Sequence, residues 1–118
     1  MEIAIKRAYE RPARSDGTRV LVDRVWPRGV TKEQAAVTLW LKDVAPSTEL
    51  RKWFAHDPAK WTDFKTRYFK ELQGNREAVS RLQALRAQGK VTLVYAARDT
   101  AHNNAAALKE YLEGHAPA

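Results

Sequence analysis

Two polar segments of this sequence combine residue types that bind anions. The first, VDRVWPRG at residues 22–29, places two arginines and a tryptophan directly after an apolar run. The second, ARDTAHNN at residues 97–104, contains an arginine, an aspartate, a histidine and two asparagines. Guanidinium groups bind phosphate and carboxylate through paired hydrogen bonds, and asparagine and histidine add neutral or switchable ones. Together these residues indicate a site for an anion.

A third, shorter segment adds an aromatic ring and a lysine. In LWLK, residues 39–42, an extended chain places the tryptophan and the lysine on the same face. The predicted ligand-binding residues are Arg24, Trp26, Arg28, Trp40, Lys42, Arg98, His102, Asn103 and Asn104. Three of them have a simpler explanation, because Trp26 and Trp40 suit a core and Lys42 suits a solvated surface. The position of Arg28, just after Pro27 at a predicted strand end, favours a functional role.

The segment at residues 97–104 has two interpretations. If it leads into a helix, the first amides of that helix are unpaired donors at the positive end of the helix dipole, and they favour an anion. Alternatively, Asp99 or Thr100 simply caps the helix, and Asn103 and Asn104 lie on its solvent-facing side. The sequence leaves both interpretations open, and in both we expect the cap at Asp99 or Thr100.

Catalysis is predicted only in outline, with His102 as the acid or base. Asp99 or Asp23 would orient its ring, and Arg98 or Arg28 would stabilise negative charge. The three histidines lack the spacing of metal ligands, cysteine is absent, and the five glycines match no phosphate-binding loop. We therefore expect no metal site and no cofactor.

A sheet is needed to bring these side chains together. Apolar runs predict strands at residues 3–9, 19–26, 37–42 and 91–97, with helices between them and after the last. Strands separated by helices favour parallel pairing. We predict one small α/β domain over residues 1–118, with three layers and a mostly parallel sheet of about three to four strands covered by helices. Ligands bind such sheets beyond the carboxyl ends of the strands, where both polar segments fall.

Capping residues predict where the helices begin and end. Thr31, Ser47 and Asp57 each precede a helical segment and carry a side-chain oxygen that can accept from its first amides. Asn75 is expected to open the following helix. Gly89 is expected to end that helix in the left-handed conformation.

Length and charge limit the classes of protein that the chain can represent. The 118 residues suit one domain, and the longest apolar runs are far shorter than a membrane span. The first residues lack the features of a secretory signal, so we expect a cytoplasmic protein that binds no membrane. The 21 basic residues against 14 acidic ones give a net charge of +7, which suits anionic partners.

Three functions remain open on these observations. The first is binding of an anionic small molecule, with or without a reaction. The second is nucleic-acid binding through the basic surface, for which the candidates are Arg51, Lys52, Lys65, Arg67 and Lys70. The third is a protein-interaction module without a ligand. The sequence predicts no oligomeric state.

The order of three motifs resembles that of a known family. VDRVWPRG, LWLKDVAPSTELRKWFAHDPAKWTDFKTRYFKEL and VTLVYAARDTAHNNAAAL together are similar to the YeaO-like family of bacterial domains of unknown function, over nearly the whole chain. The resemblance implies a compact cytoplasmic α/β protein and brings no established substrate. Related domains outside this family look to have a cysteine in the loop after the last strand. This chain reads YAARDTAHNN there, which argues against a thiol mechanism.

Overall fold

Four parallel strands form the centre of the protein in the computed structural model, which describes residues 2–115. They are β1 (Ile3–Arg7), β2 (Thr18–Leu21), β3 (Leu39–Trp40) and β4 (Val91–Tyr95). Their order in the sheet is β1-β4-β2-β3, so the last strand of the chain lies between the first two. Every residue of β4 is buried, as expected for a central strand covered on both faces.

Within residues 2–115, five α-helices connect and follow the strands. They are α1 (Lys32–Ala35), α2 (Thr48–Phe54), α3 (Trp61–Gln73), α4 (Arg76–Gln88) and α5 (Asn104–Gly114). This order of elements confirms the predicted α/β fold with a parallel sheet. Among the described residues, no helix is both long and apolar enough to span a bilayer.

The four longer helices, α2 to α5, pack on one face of the sheet and form the main core. Val20, Leu93 and Tyr95 of the strands belong to the same buried cluster as Phe64 of α3 and Leu108 of α5. Their full burial stabilises the fold by about 1.5–3 kcal/mol for each large apolar side chain. This face also fixes where α2 and α5 begin relative to the strand ends.

The other face of the sheet carries a thinner layer made of loops and the short helix α1. Leu21 and Val94 are buried there against Trp26 and Trp40, whose rings meet edge to face with centroids 5.4 Å apart. Each indole N–H donates to a backbone carbonyl. The structural interpretation of both tryptophans is therefore supported by their packing and their hydrogen bonds.

The second strand ends five residues earlier than predicted. After the Val22 amide donates to the sheet, the carbonyl of Asp23 accepts from the indole of Trp40 at 2.8 Å and its carboxylate accepts from the amide of Ala96 at 2.9 Å. These bonds turn the chain out of the sheet. The predicted continuation of this strand over residues 22–26 is therefore wrong.

Most of the predicted helix starts are confirmed. Thr31 and Ser47 accept from the amides of Gln34 and Leu50, and Asp57 accepts from the amide of Ala59. The prediction for the end of α4 is wrong, because the residue that follows it, Gly89, is extended and not left-handed.

The cap of the last helix is also corrected. Asn103, not Asp99 or Thr100, accepts from the amide of Ala106 and opens α5. The side chain of Asp99 instead accepts from the amide of Ala101 and forms a turn before the helix. The difference arises because seven residues, 96–102, separate the end of β4 from the cap, whereas the prediction left one.

A buried group of charged side chains lies on the thinner face, and we call Lys6, Asp16 and Arg19 the buried ion cluster. Asp16, only 6% exposed, accepts from Arg19 at 2.7 Å and from Lys6 at 3.2 Å. Arg19 also donates twice to the carbonyl of Ala35 in α1. Burial acts to raise the pKa of Asp16, but hydrogen bonds from the Ala13 amide, Lys6 and Arg19 outweigh it and lower that pKa.

Candidate functional site

A cavity of about 710 Å³ opens where β2 and β4 end, and we call it the cavity from here on. Its polar lining residues are Tyr9, Asp23, Arg24, Arg28, Arg51, His56, Arg98, Asp99, Asn103 and Asn104. Its apolar lining residues are Val25, Trp26, Pro27, Ala45, Pro46, Phe54, Phe64, Ala96 and Ala97. The volume lies in the range of pockets that hold small organic ligands.

Asp23 joins the two polar segments that the sequence singles out. Its Oδ2 accepts from the amide of Ala96 at 2.9 Å, and its Oδ1 accepts from Nδ2 of Asn104 at 3.0 Å. The same Asn104 amide group donates to the carbonyl of Val22 at 3.1 Å. Residues 22–29 and 97–104 therefore meet in one place, as the parallel sheet predicts.

Burial makes the charged form of the Asp23 carboxyl group unfavourable. Burial raises its pKa above the ordinary value of 3.8, while the hydrogen bonds from Asn104 and Ala96 and the nearby charges of Arg51 and His56 act to lower it. Each carboxylate oxygen offers more than one acceptor site, and the two fixed donors use only one on each. The remaining acceptor capacity is available to a molecule in the cavity.

The guanidinium groups of three of the four arginines that line the cavity make no hydrogen bond or ion pair with any described residue. These are Arg28, Arg51 and Arg98, whereas Arg24 donates to the carbonyls of Ala45 and Pro46 at 3.4 Å. Four arginines against two aspartates leave the lining with an excess of positive charge. The unpaired guanidinium groups supply the bidentate donors that a carboxylate or phosphate needs.

Tyr9 lines the cavity and is bonded to one of these arginines. Its hydroxyl donates to the carbonyl of Arg28 at 3.0 Å, and its ring lies under the guanidinium of Arg7 at 4.9 Å. Arg7 in turn donates to the carbonyls of Ala96 and Ala97, directly before Arg98. The chain around Arg28 is in this way tied to the loop that carries Arg98.

Another part of the lining comes from the end of α2. Ala55 and His56 both adopt left-handed conformations, with φ values of 48° and 56°. Such conformations are unfavourable for residues with a Cβ, and here they place the histidine at the cavity beside Phe54. The strained turn therefore contributes a side chain to the site.

Three predicted ligand-binding residues do not line the cavity. Trp40 packs on the thinner face, and the Lys42 ammonium lies 4.1 Å from the centre of its ring, so the two share a face but not the site. The ring of His102 meets Trp61 edge to face, with centroids 5.4 Å apart. The structure thus brings together Arg24, Trp26, Arg28, Arg98, Asn103 and Asn104 with Asp23 and Asp99.

The predicted pairing of Asp99 with His102 is present just outside the cavity. Nδ1 of His102 lies 2.9 Å from Oδ2 of Asp99. Hydrogen bonds from the Ala101 amide and from His102 lower the pKa of Asp99. The aspartate orients the ring, as an orienting carboxylate does in a catalytic pair, but the ring does not line the cavity.

The two asparagines are part of the framework and not of a wet helix surface. Asn103 is 2% exposed, caps α5, and donates from Nδ2 to the carbonyl of Asp99 at 2.9 Å. Asn104 has both its amide hydrogens directed to Val22 and Asp23. The interpretation that placed them on a solvent-facing side is wrong.

Sequence reasoning missed Tyr9, Arg51, Phe54 and His56 as lining residues. Phe54 carries the helical spacing of a core residue, and Arg51 lies among many other basic residues. Only the Ala55–His56 pair before Asp57 offered a signal, since a chain must turn sharply between two adjacent helices. Among residues 2–115, no three histidine, aspartate or glutamate side chains cluster as metal ligands.

The chain matches one family over residues 2–117, the family described as the inactive DUF488-N3 subclade. It is 43% identical over 112 residues to uncharacterized proteins of Mycobacterium tuberculosis (Rv3073c) and Mycobacterium bovis (Mb3100c), covering 95% of this chain and 94% of each of those. It is 39% identical to the uncharacterized protein YeaO of Escherichia coli, covering 95% of this chain and 97% of that protein. No solved structure matches it. These matches confirm the resemblance seen in the three motifs: the chain belongs to the inactive DUF488-N3 subclade and is a relative of YeaO.

Proposed function

We propose that this protein is a cytoplasmic binding domain that holds an anionic small molecule in the cavity. The observation that carries the proposal is the set of three arginines, Arg28, Arg51 and Arg98, that line one cavity without a protein partner. All three arginines are exposed, and guanidinium groups that line the same concave site lower the free energy of an anion there. A carboxylate or a phosphate satisfies this donor set.

Binding without a serine, threonine or lysine nucleophile fits the lining best. The cavity is lined by no serine, threonine or lysine, and the hydroxyl of Tyr9 is already engaged with the carbonyl of Arg28. The description of the family as inactive favours the same conclusion. The pair of Asp99 and His102 has the geometry of an acid or base, but its ring faces Trp61 instead of the cavity.

The two alternative functions receive less support from the structure. In the described residues the exposed large apolar side chains are Tyr9 and Val25, and both line the cavity, so no separate apolar interaction surface stands out. On α3, Lys65 pairs with Glu110 and Arg67 covers the ring of Trp53. Two of the basic residues predicted to bind nucleic acid are therefore already engaged.

Calorimetric titration with inorganic phosphate, benzoate and naphthalene-1-acetate at constant ionic strength tests the proposal. We expect saturable binding of at least one anion, weakened about 10- to 100-fold by Arg28→Gln or Arg98→Gln, because each removes a charged hydrogen bond. Arg81→Gln is the matched control, since that exposed arginine lies on α4 outside the cavity. Absence of binding, or an equal loss in the control variant, would contradict the proposal.

A further inference from the structure

The lining of the cavity is more selective than a bare anion site. Beside its arginines it is lined by the half-buried ring of Trp26, by the exposed side chain of Val25, and by the edges of the buried residues Pro27, Pro46, Phe54 and Phe64. Its 710 Å³ has room for about two dozen water molecules at roughly 30 Å³ each, far more than an inorganic anion displaces. An inorganic anion would leave this apolar surface wet, whereas an organic ligand that covers it gains the free energy of apolar burial.

Asp23 imposes a second requirement on such a ligand. An apolar body that fills the cavity removes water from this carboxyl group, whose protein donors are only the Ala96 amide and the Asn104 amide group. A desolvated acceptor without a new donor costs free energy, so a ligand that closes over it must supply an N–H or O–H group. No such requirement applies at Arg28 and Arg98.

The arginine donors and the carboxylate acceptor are separate groups of the lining. Among the described residues, neither Arg28 nor Arg98 forms a hydrogen bond or an ion pair with Asp23, whose bonds come from Ala96 and Asn104. Asp23 is held against the start of α5, and its electrostatic neighbours are Arg51 and His56 at the α2 side. One ligand that meets both groups must carry its anionic group and its donor at separate positions.

We propose that the cavity selects an aromatic organic anion that carries a hydrogen-bond donor apart from its anionic group, with the anion at Arg28 and Arg98 and the donor at Asp23. This inference rests on the proposed function and narrows it to a ligand class. It assigns to Asp23 a positioning role in recognition, through its unused acceptor capacity. The charge of the ligand decides whether it binds, and the donor decides which aromatic anion binds best.

A matched set of probes tests the inference by calorimetry at constant ionic strength. Indole-3-acetate has the anion, the aromatic body and an N–H donor; naphthalene-1-acetate lacks the donor; 3-methylindole lacks the anion; inorganic phosphate lacks the body. We expect indole-3-acetate to bind about tenfold more tightly than naphthalene-1-acetate, because one hydrogen bond to a charged acceptor differs between them. We expect 3-methylindole and phosphate to bind more weakly than either.

Two further measurements locate the effect at Asp23. In Asp23→Asn the preference for indole-3-acetate is expected to fall, because the acceptor loses its charge and keeps only a carbonyl oxygen, while Arg98→Gln weakens both aromatic anions and keeps their ratio. The wild-type protein provides a readout that needs no variant: the carboxyl ¹³C resonance of Asp23 should shift with indole-3-acetate and much less with naphthalene-1-acetate.

The outcomes separate this inference from the proposed function. Equal affinity for the two aromatic anions overturns donor recognition and leaves anion binding standing. Phosphate binding as tightly as the aromatic anions overturns the requirement for an apolar body and also leaves anion binding standing. If none of the anions binds in the cavity, both the inference and the proposed function are contradicted.

Discussion

The buried ion cluster and the cavity each combine an aspartate with basic side chains, but the hydrogen-bond donors to the two aspartates differ. In the buried ion cluster, Asp16 accepts directly from Arg19 and Lys6. In the cavity, Asp23 accepts only from neutral donors, the Ala96 amide and Asn104, while arginines line the same space without touching it. A buried charge with an internal partner stabilises a fold, whereas an unpaired charge in a cavity is available to a ligand.

The largest expected effect is seen when an arginine is replaced by glutamine in each of the two regions. Arg19→Gln should reduce the free energy of unfolding by about 3–5 kcal/mol, because it leaves the buried carboxylate of Asp16 without its main partner. Arg98→Gln should change it by no more than about 0.5 kcal/mol, because that side chain has no partner to lose. Urea unfolding measures both, and equal losses would remove the distinction between the two regions.

Asn104→Ala tests whether the hydrogen bond from the neutral Asn104 side chain stabilises the carboxylate of Asp23. The change leaves Asp23 with one fixed donor in place of two, so we expect a loss of about 1–3 kcal/mol and a further rise in the pKa of Asp23. Urea unfolding and the carboxyl ¹³C titration of Asp23 report the two effects. Asn75→Ala is the matched control, since that exposed side chain donates only to the carbonyl of Asp43. An unchanged Asp23 titration would show that Asn104 does not stabilise its charge.

Ala55→Gly tests whether the cavity side stores backbone strain. The left-handed conformation at Ala55, with φ 48°, suits glycine, so the variant should gain about 1 kcal/mol of stability. Ala84→Gly, in the exposed interior of α4, should lose about the same amount, because glycine there only increases the entropy of the unfolded chain. Thermal unfolding measures the change in stability of each variant. A loss of stability in both variants would show that residue 55 carries no strain.

The smallest expected effect is an opposite pH dependence of the two carboxylates. The pKa of Asp16 is lowered, so its stabilisation is present above its ordinary value of 3.8 and is lost as the pH falls below it. The pKa of Asp23 is raised, so the folded state takes up its proton first and gains stability as the pH falls toward 3.8. The urea midpoint of unfolding, measured against pH, reports both trends. Asp16→Asn should remove the loss of stability at low pH, and Asp23→Asn should remove the gain. A variant that keeps its trend would show that another group causes it.

Much of the fold follows from the sequence because periodicity and capping act locally. The strand β4 and the starts of α1 and α2 are recognised from an apolar run and from Thr31 and Ser47. The end of β2 is not recognised from the sequence, because it depends on hydrogen bonds between Asp23 and residues 40 and 96, which are far from it along the chain. Local patterns carry no signal for such contacts.

The candidate site shows the same division. Arg28, Arg98 and Asn104 are recognised by their residue type and by their place after predicted strands, since parallel strands bring their carboxyl ends together. His102 is predicted from its chemistry alone, but its ring packs on Trp61 and does not line the cavity. Arg51 is missed because only the packing of α2 against α3 sets it beside the cavity.

If the cavity, and not the basic surface, attracts anions, binding should be confined to its lining. Titration of the wild-type protein with naphthalene-1-acetate at constant ionic strength, followed through the backbone amide resonances, measures where the anion binds. We expect saturable shifts confined to residues 23–28, 51–56 and 96–104, with the buried ion cluster unchanged. Small, non-saturating shifts spread over the lysines and arginines of the whole surface would contradict binding in the cavity.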